Sequence, residues 1–255
     1  MDRRDAILDA AVAIADERGL DAVSMRSVAE RVGVTPMALY PHVGSKAALL
    51  DGMIGRLLGE MWPADGLSPP AGPGSGADGP DPAEPATGGP GATAPGAGPP
   101  DWRTQLAAIG RAGRAIARRH PWAASLVFAR PAVTPDSVRA IDVVYGALLA
   151  AGVPAQQVPR LERLLGTVVF GFAASEAGGR FGPPESNPRS TRGLLPEGPL
   201  PGHEALADVL AAPADWDAEF EADLADLAEI IEATARRARS EQRRDRPAAD
   251  RASPG

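Results

Sequence analysis

The sequence predicts an all-α fold with two helical domains, separated by a segment of different composition. Outside that segment, apolar residues recur three and four positions apart, which is the spacing of one buried helix face. The periodic segments begin near Ser or Thr residues and end at Gly or before Pro, as helices do. These patterns divide the chain into an N-terminal domain at 1–62, a linker at 63–100, a second domain at 101–239 and a tail at 240–255.

The N-terminal domain is predicted to contain four helices. Residues 4–18 have a continuous apolar stripe and form the first of them. Two short helices then surround a turn: Ser24 begins the first, Gly33 can adopt the positive φ that ends it, and Thr35 caps the second ahead of a proline. A fourth helix begins at Ser45 and has nearly four turns of apolar face.

The second domain is predicted to contain six helices. The stretch LLGTVVFGFAASEA is apolar around most of its circumference, which indicates a helix buried on several sides. Acidic residues lead the last helix and arginines close it, which suits the helix dipole. The predicted ranges are 102–120, 122–128, 136–151, 155–177, 203–210 and 214–239.

Residues 63–100 differ in kind, because 21 of these 38 residues are Gly or Pro and hardly any are large and apolar. Such a segment cannot bury enough surface to offset the entropy of ordering, so it is predicted to be disordered. It is either an insertion tolerated in a loop or an arm that binds a partner, and the sequence leaves both open. We also expect the Gly/Pro-rich residues 178–202 and the polar, Arg-rich tail to be mobile.

Composition and missing motifs exclude several classes of protein. Without cysteine, neither a disulfide framework nor a thiolate zinc site can form. No signal-peptide pattern is present and no apolar run approaches the roughly 18 residues that span a bilayer, so we expect a cytoplasmic protein that does not enter the membrane. Nucleophile elbows, phosphate-binding glycine loops and zinc-protease motifs are also absent. The sequence therefore predicts no enzyme, no catalytic residue, no metal site and no cofactor.

The stretch from Ser24 to Lys46 has the parts of a helix-turn-helix, whose second helix enters the major groove of DNA. A pair of short helices around a glycine turn also occurs in helical proteins that do not bind DNA. The net charge of −7 gives no support to non-specific binding, but residues 24–50 contain three cations and one anion. Side chains that bond phosphate or base edges could share one surface there: Arg26, Thr35, Tyr40, His42 and Lys46.

Residues 7–61 resemble the DNA-binding domain of the TetR family of transcriptional regulators, chiefly in the motif ALYPHVGSKAALLDGM. The second domain, with DWRTQL, RRHPWAASL, GALLAAGV and GFAASEA, is similar to the branch nearest the tetracycline repressors. The resemblance implies a homodimeric repressor that binds a palindromic operator in double-stranded DNA. It implies release when a small molecule enters a C-terminal ligand-binding and dimerisation domain of antiparallel helices. The dimer would form through 155–177 and 214–239 of both subunits.

The resemblance also implies a role for each residue of the motif. Ser24 would hold a phosphate, and Arg26 would reach a base edge. Lys46 would bind phosphate at a helix N-terminus, where ammonium and helix dipole both favour it. The groove-facing residues would be Thr35, Pro36, Met37 and Ala38, with Tyr40 and His42 following as phosphate or base-proximal contacts. Three of these, Pro36, Met37 and Ala38, have no hydrogen-bonding side chain, so contacts there would be apolar, for example to thymine methyl groups. The sequence departs from the tetracycline repressors at Pro41, where they have an aromatic residue.

An effector pocket is expected among polar or aromatic residues that lie within the apolar helices. His120 is in a place roughly similar to a metal-ligating histidine of tetracycline repressors, but no accompanying ligand set is recognisable, so no metal is expected. An apolar or amphipathic effector with one or two polar handles fits best. The alternative is a regulator without an effector, either constitutive or controlled by a protein. The candidate lining residues are Trp102, His120, Trp122, Phe128, Tyr145, Phe170 and Glu176.

Overall fold

A computed structural model describes residues 2–60, 101–181 and 198–245, and all regular secondary structure in these ranges is helical. The predicted all-α fold is therefore confirmed. No helix in these ranges has the length and apolar character needed to cross a membrane. The helices are α1 (Arg3–Arg18), α2 (Met25–Val32), α3 (Tyr40–Val43), α4 (Lys46–Gly59), α5 (Trp102–Arg119), α6 (Ala123–Ala129), α7 (Pro135–Ala150), α8 (Val158–Ala177), α9 (Pro201–Ala205), α10 (Ala207–Ala211) and α11 (Trp216–Asp245). Short 3-10 helices lie at Leu20–Ala22, Pro36–Ala38 and Ala155–Gln157.

The start and the end of α2 are set by the residues that the sequence indicated. The Ser24 hydroxyl accepts a hydrogen bond from the Ser27 amide at 3.0 Å, and the Ser27 hydroxyl accepts one from the Ser24 amide at 2.9 Å. This reciprocal cap satisfies two of the amides that a helix start leaves without partners. Gly33 ends the helix in the left-handed region with φ 73° and ψ 33°.

Helix α4 belongs to the cores of both domains. Leu49 and Met53 are completely buried, and α4 packs against α1 on one side and against α6 and α7 on the other. Its Gly55 lies so close to the start of α7 that an added Cβ would be 2.2 Å from the Thr134 hydroxyl oxygen. Thr134 is itself fixed, since its hydroxyl accepts from the Ser137 amide and caps α7. A residue without a side chain is therefore required for the approach of α4 to α7.

A buried arginine joins the three long helices α5, α8 and α11. The Arg114 guanidinium donates to both Glu176 oxygens at 3.0 and 2.8 Å and lies 2.9 Å from the Asp217 carboxylate. It also lies between two aromatic rings, 4.8 Å from the Phe172 centroid and 4.7 Å from the Phe220 centroid. Further along α11, Leu224, Leu227 and Ile231 are buried in the hydrophobic core.

Several boundaries differ from the sequence-based expectations. The predicted linker at 63–100 lies outside the described residues, as do 182–197 and 246–255. The last helix continues to Asp245, past the predicted end at residue 239. The apolar stripe ends before residue 240, but Glu, Gln and Arg are good helix formers and the next proline in the sequence is Pro247. The segment at 203–210 is covered by two short helices, α9 and α10.

Replacing Gly55 by Ala tests the close approach of α4 and α7. The new methyl group must displace Thr134 and its cap, so we expect unfolding free energy to fall by about 1–3 kcal/mol. The measurement is urea denaturation followed by circular dichroism. Gly59→Ala is the matched control on the same helix, since nothing lies within 4 Å of its Cβ position. That control should be neutral or stabilise the protein by up to about 1 kcal/mol. Equal stabilities of the two variants would contradict the packing described.

Candidate nucleic-acid interface and ligand cavity

The segment after the Gly33 turn exposes some side chains and anchors others. Leu39 and Val43 are buried and fix the segment to the core of the domain. Met37, with 74% of its surface exposed, and Tyr40, with 42%, face outward. The expected single helix is divided into a 3-10 turn at Pro36–Ala38 and the four-residue α3.

Thr35 precedes the 3-10 turn, and Pro41 lies in the first turn of α3. Thr35 occupies the N-cap position of the 3-10 turn with the extended backbone usual there. Its side chain accepts no capping hydrogen bond, however, so the expectation that the hydroxyl caps the helix is wrong. The exposed hydroxyl is therefore available to another partner. Pro41 is tolerated in the first turn of α3, where a helix does not need the backbone N–H.

Charged residues near this segment fall into paired and unpaired groups. Arg31 forms an ion pair with Glu17, which lowers the pKa of the Glu17 carboxyl, and Arg56 pairs with Asp9 at 2.7 Å. In contrast, the exposed Arg26 and Lys46 form no ion pair with any residue that the structure describes. Their charges are therefore free to meet phosphate groups.

The segments that hold these side chains are contiguous. Helix α2 contacts the 3-10 turn, the turn contacts α3, and α3 contacts α4. His42 is exposed on α3, and Lys46 is the first residue of α4, where Ser45 accepts from the Ala48 amide at 3.1 Å. Ser24 is half-buried, and its hydroxyl accepts from the Ser27 amide. It also lies 3.0 Å from the Ser27 hydroxyl, whose proton is donated to the Ala22 carbonyl, so a phosphate oxygen would have to compete with Ser27 for the Ser24 proton.

A cavity of about 500 Å³ lies between the two domains, bounded by α4, α5, α6, α7 and α8. Phe128 and Phe170 line it and meet edge to face, with ring centroids 6.3 Å apart. These are the two effector-pocket candidates from the sequence that the structure brings together. The other large apolar lining residues are Ile54, Leu58, Ile109, Val127, Ile141, Val144, Leu165 and Val169. The first two belong to α4, so a molecule in the cavity would touch the helix that follows the helix-turn-helix.

Four polar side chains line the cavity, and none was among the candidates from the sequence: Arg130, Glu162, Arg163 and Thr167. Arg130 reaches α4, where its Nε donates to Asp51 at 2.6 Å and its Nη2 donates to the Ala47 carbonyl at 3.1 Å. Glu162 is half-buried, and burial raises the pKa of its carboxyl. Its position could have been found, since Glu162, Gly166 and Phe170 are spaced four apart and share one face of α8.

Three of the polar or aromatic candidates do not line the cavity and are hydrogen-bonded to other residues. His120 Nδ1 and Trp122 Nε1 both lie 2.7 Å from Asp16 Oδ1, which joins α1 to the turn between α5 and α6. Burial alone would raise the pKa of Glu176, but the hydrogen bonds from Arg114 and Arg118 outweigh it and lower that pKa to about 2. A polar group that already has its partners has little left to offer a ligand.

The remaining two candidates are packed beside the core. Trp102 is half-buried, and the Arg103 guanidinium lies 4.8 Å from its ring centroid. Tyr145 is also half-buried and packs against the core of the second domain. Neither of them lines the cavity. Of seven candidates, therefore, the structure places two in it.

The charge pairing of Glu176 gives a prediction about acid stability. Its pKa is depressed in the folded state, so its contribution to stability is present above pH 4.5 and is lost as the pH falls toward about 2. Glu176→Gln should cost about 3 kcal/mol at pH 7, the low end for breaking a buried pair, because Asp217 still partners Arg114. In urea titrations between pH 7 and pH 3, the difference from the wild type should shrink.

The control for this prediction is Glu221→Gln. Glu221 pairs with Arg111 in an exposed ion pair, and such pairs contribute less than about 1 kcal/mol. A Glu176→Gln effect that is as small as the control, or that does not depend on pH, would contradict the role given to this cluster.

Comparisons with known proteins point to one family. Residues 7–53 match the model described as bacterial regulatory proteins, tetR family, and residues 106–195 match the tetracyclin repressor-like C-terminal domain. An HTH-type transcriptional regulator of Saccharopolyspora erythraea is 28% identical over 223 residues, which are 86% of this chain and 79% of that protein. The HTH-type transcriptional repressor DrrR1 of Streptomyces coeruleorubidus is 29% identical over 172 residues, 68% of this chain and 53% of that one.

Solved structures share the fold. Apo ActR of Streptomyces coelicolor superposes with a TM-score of 0.68 at 23% identity, covering 92% of this chain and 97% of that chain. A structure of the same protein in complex with actinorhodin gives a TM-score of 0.67 at 22% identity, covering 92% and 99% of the two chains. At this level of identity the likeness concerns the fold.

Proposed function

This chain belongs to the TetR family of transcriptional regulators, and we propose that it is a homodimeric repressor which binds a palindromic operator and leaves it when a small molecule binds. The observation that carries the proposal is the cavity bounded by α4, the same helix whose first residue is the exposed Lys46. A ligand and an operator would thus act on one helix. The cavity favours this proposal over a regulator without an effector, because such a regulator has no need of a space between its domains.

The chemistry of the exposed residues supports operator binding. Arg26 and Lys46 carry unpaired charges, which would bind phosphate or a base edge. Thr35 has a free hydroxyl, and the apolar Met37 is the most exposed large side chain of the segment. Most affinity would then come from charges, and sequence choice would rest on Arg26, the Thr35 hydroxyl and apolar contact with thymine methyl groups.

Dimerisation through α8 and α11 is supported by apolar side chains that one subunit leaves uncovered. Leu164 and Val168 are half-exposed one turn apart on α8, and Ile230 on α11 is 43% exposed. The same two helices of a second copy would cover them in an isologous four-helix arrangement. Such a dimer presents two recognition segments, which must lie roughly 34–36 Å apart to enter successive major grooves.

The release step would be a shift between two populations of the dimer. A ligand in the cavity contacts Ile54 and Leu58 of α4 and borders Arg130, which holds the first turns of that helix through Asp51 and the Ala47 carbonyl. If the ligand prefers a different tilt of α4, operator affinity falls by the difference in its affinity for the two states. The actinorhodin complex of ActR supports a ligand-responsive reading of this fold.

Two substitutions test operator recognition on a duplex selected by the wild-type protein from a random library. Lys46→Ala removes a phosphate contact, so it should weaken all duplexes equally and reduce the salt slope of binding by about 1 per subunit. Arg26→Ala should cost about 1–3 kcal/mol and relax sequence choice at one position of each half-site. Fluorescence anisotropy at several salt concentrations measures both.

Arg139→Ala is the control for these substitutions, because Arg139 is exposed on α7 and pairs only with Asp136 within the same helix. It should leave affinity and salt slope unchanged. The assignment of the interface is wrong if Lys46→Ala and Arg26→Ala behave as this control does.

The dimer interface is tested by Ile230→Arg. A charge at this position would be buried against the partner, so we expect the dimer to weaken by at least about 3 kcal/mol, with a parallel loss of operator affinity. Sedimentation equilibrium measures the dissociation constant. Val138→Arg is the control, since Val138 is 53% exposed but lies on α7. A dimer unaffected by Ile230→Arg would place the interface elsewhere.

A further inference from the structure

We propose that the cavity between the domains binds amphipathic molecules with a protonated amine, and that the Glu162 carboxylate binds the amine. This inference rests on the proposed function, in which the cavity is the effector site, and it specifies the chemical class of the effector. It depends on three features of the cavity: an acid without a partner, a hydroxyl that can only accept, and apolar walls.

Glu162 is exceptional among the acids near the cavity because it has no partner. No residue that the structure describes donates a hydrogen bond to it or lies within ion-pair distance of it. Burial raises the pKa of its carboxyl, and the positive charge of the neighbouring Arg163 offsets only part of that effect. Asp51, on the cavity's other side, accepts from Arg130 at 2.6 Å, and Glu176, further along α8, accepts from two arginines. The Glu162 carboxylate therefore retains its full capacity to accept hydrogen bonds from a ligand.

Apolar surroundings make this unpaired carboxylate a strong site for a cation. The surfaces that share the cavity with it come mostly from aliphatic and aromatic side chains, including Ile141, Leu165 and Phe170. Poor solvation raises the free energy of the carboxylate, which a ligand ammonium group would relieve. Attraction between opposite charges is also stronger beside apolar walls than in water. A neutral ligand offers no such compensation.

Thr167 adds a second acceptor. Its hydroxyl donates its only proton to the Arg163 carbonyl at 2.7 Å, so it presents lone pairs to the cavity. Of the three polar side chains that α8 contributes to the lining, Glu162 and Thr167 accept hydrogen bonds and Arg163 donates them; Thr167 and Arg163 are exposed to water, whereas Glu162 is half-buried. A ligand that binds at Glu162 must therefore supply the donors. A protonated amine has donors and charge together.

An anionic ligand fits the same cavity less well. Its carboxylate would lie beside Glu162, and like charges in apolar surroundings repel. Of the two arginines at the cavity, Arg130 is already neutralised by Asp51 and Arg163 is exposed to water. Neither arginine is both buried and unpaired, so the cavity lining that the structure describes has no cationic site comparable to the anionic site at Glu162.

A series of ligands with one tail and three heads tests this inference. Binding of n-decylamine, n-decanol and n-decanoate to the full chain is measured by isothermal titration calorimetry at pH 7. We expect the amine to bind at least about tenfold more tightly than the alcohol, and the carboxylate more weakly than both. Decylamine should also release the selected operator in an anisotropy titration.

Three variants locate the binding. Glu162→Gln keeps the shape of the side chain, so it should cost the amine about tenfold in affinity and change the alcohol by less than about twofold. Gly166→Leu should weaken both, because Gly166 lines the cavity and nothing lies within 4 Å of its Cβ position. Glu219→Gln, at an exposed site on α11, should change neither ligand. Thermal denaturation by circular dichroism establishes that each variant is folded.

The outcomes separate this inference from the proposed function. The inference is overturned if n-decanol or n-decanoate binds as tightly as n-decylamine, or if none of the three binds. It is also overturned if Glu162→Gln leaves the affinity for n-decylamine unchanged. Operator binding without any probe is measured in parallel. Operator binding with no preference for the amine would refute the ligand class alone, whereas a chain that binds no duplex would refute the proposed DNA-binding function.

Discussion

The close packing of α4 against the second domain is the constraint on which the rest of the structure depends. Its first residues carry Lys46 and are held by Arg130, its middle residues include Gly55, which admits the start of α7, and its Ile54 lines the cavity. Close-packed interiors repack between discrete arrangements and do not deform continuously. In the proposed release step, a molecule that changes the volume or charge of the cavity would therefore move α4 as a body, together with α3, which contacts it.

A second contact between the domains keeps α1 in register with α4. Asp16 on α1 accepts from both His120 and Trp122, and Glu60 at the end of α4 lies 3.2 Å from Arg119. Partly exposed ion pairs contribute little to stability, so these contacts matter chiefly for orientation. One carboxylate with two fixed donors defines an angle as well as a distance. The second domain consequently holds the N-terminal domain at both of its long helices, and a shift of α4 has to be accommodated around Asp16.

A structural feature could be predicted from the sequence when it is determined by residues that are close together in the sequence. The Ser24 cap and the Gly33 end of α2 each depend on a few neighbouring residues, and both were found. The Thr35 cap was not, because in the 3-10 turn the Ala38 amide, which a capping hydroxyl would bond, donates to the Thr35 carbonyl. The cavity depends on which faces of five helices meet. Phe128 and Phe170 were found as aromatic residues in apolar runs, but Arg130 and Glu162 required knowledge of which acids and bases have partners.

The same distinction between paired and unpaired groups explains why the polar residues that were predicted to line the effector pocket do not line the cavity. Glu176 and His120 stand out in the sequence as polar residues in otherwise apolar helices, yet buried polar groups in a folded protein usually have hydrogen-bond partners already. The charged side chains that remain available to bind DNA or a ligand are those without an ion-pair partner within the part of the chain that the structure describes. Among the cations of the helix-turn-helix, these are Arg26 and Lys46, whereas Arg31 is paired with Glu17. Among the acids near the cavity it is Glu162, which shares the cavity with mostly apolar side chains, whereas Asp51 is paired with the Arg130 guanidinium. Both proposed sites of this regulator therefore follow from one count of charges and their partners.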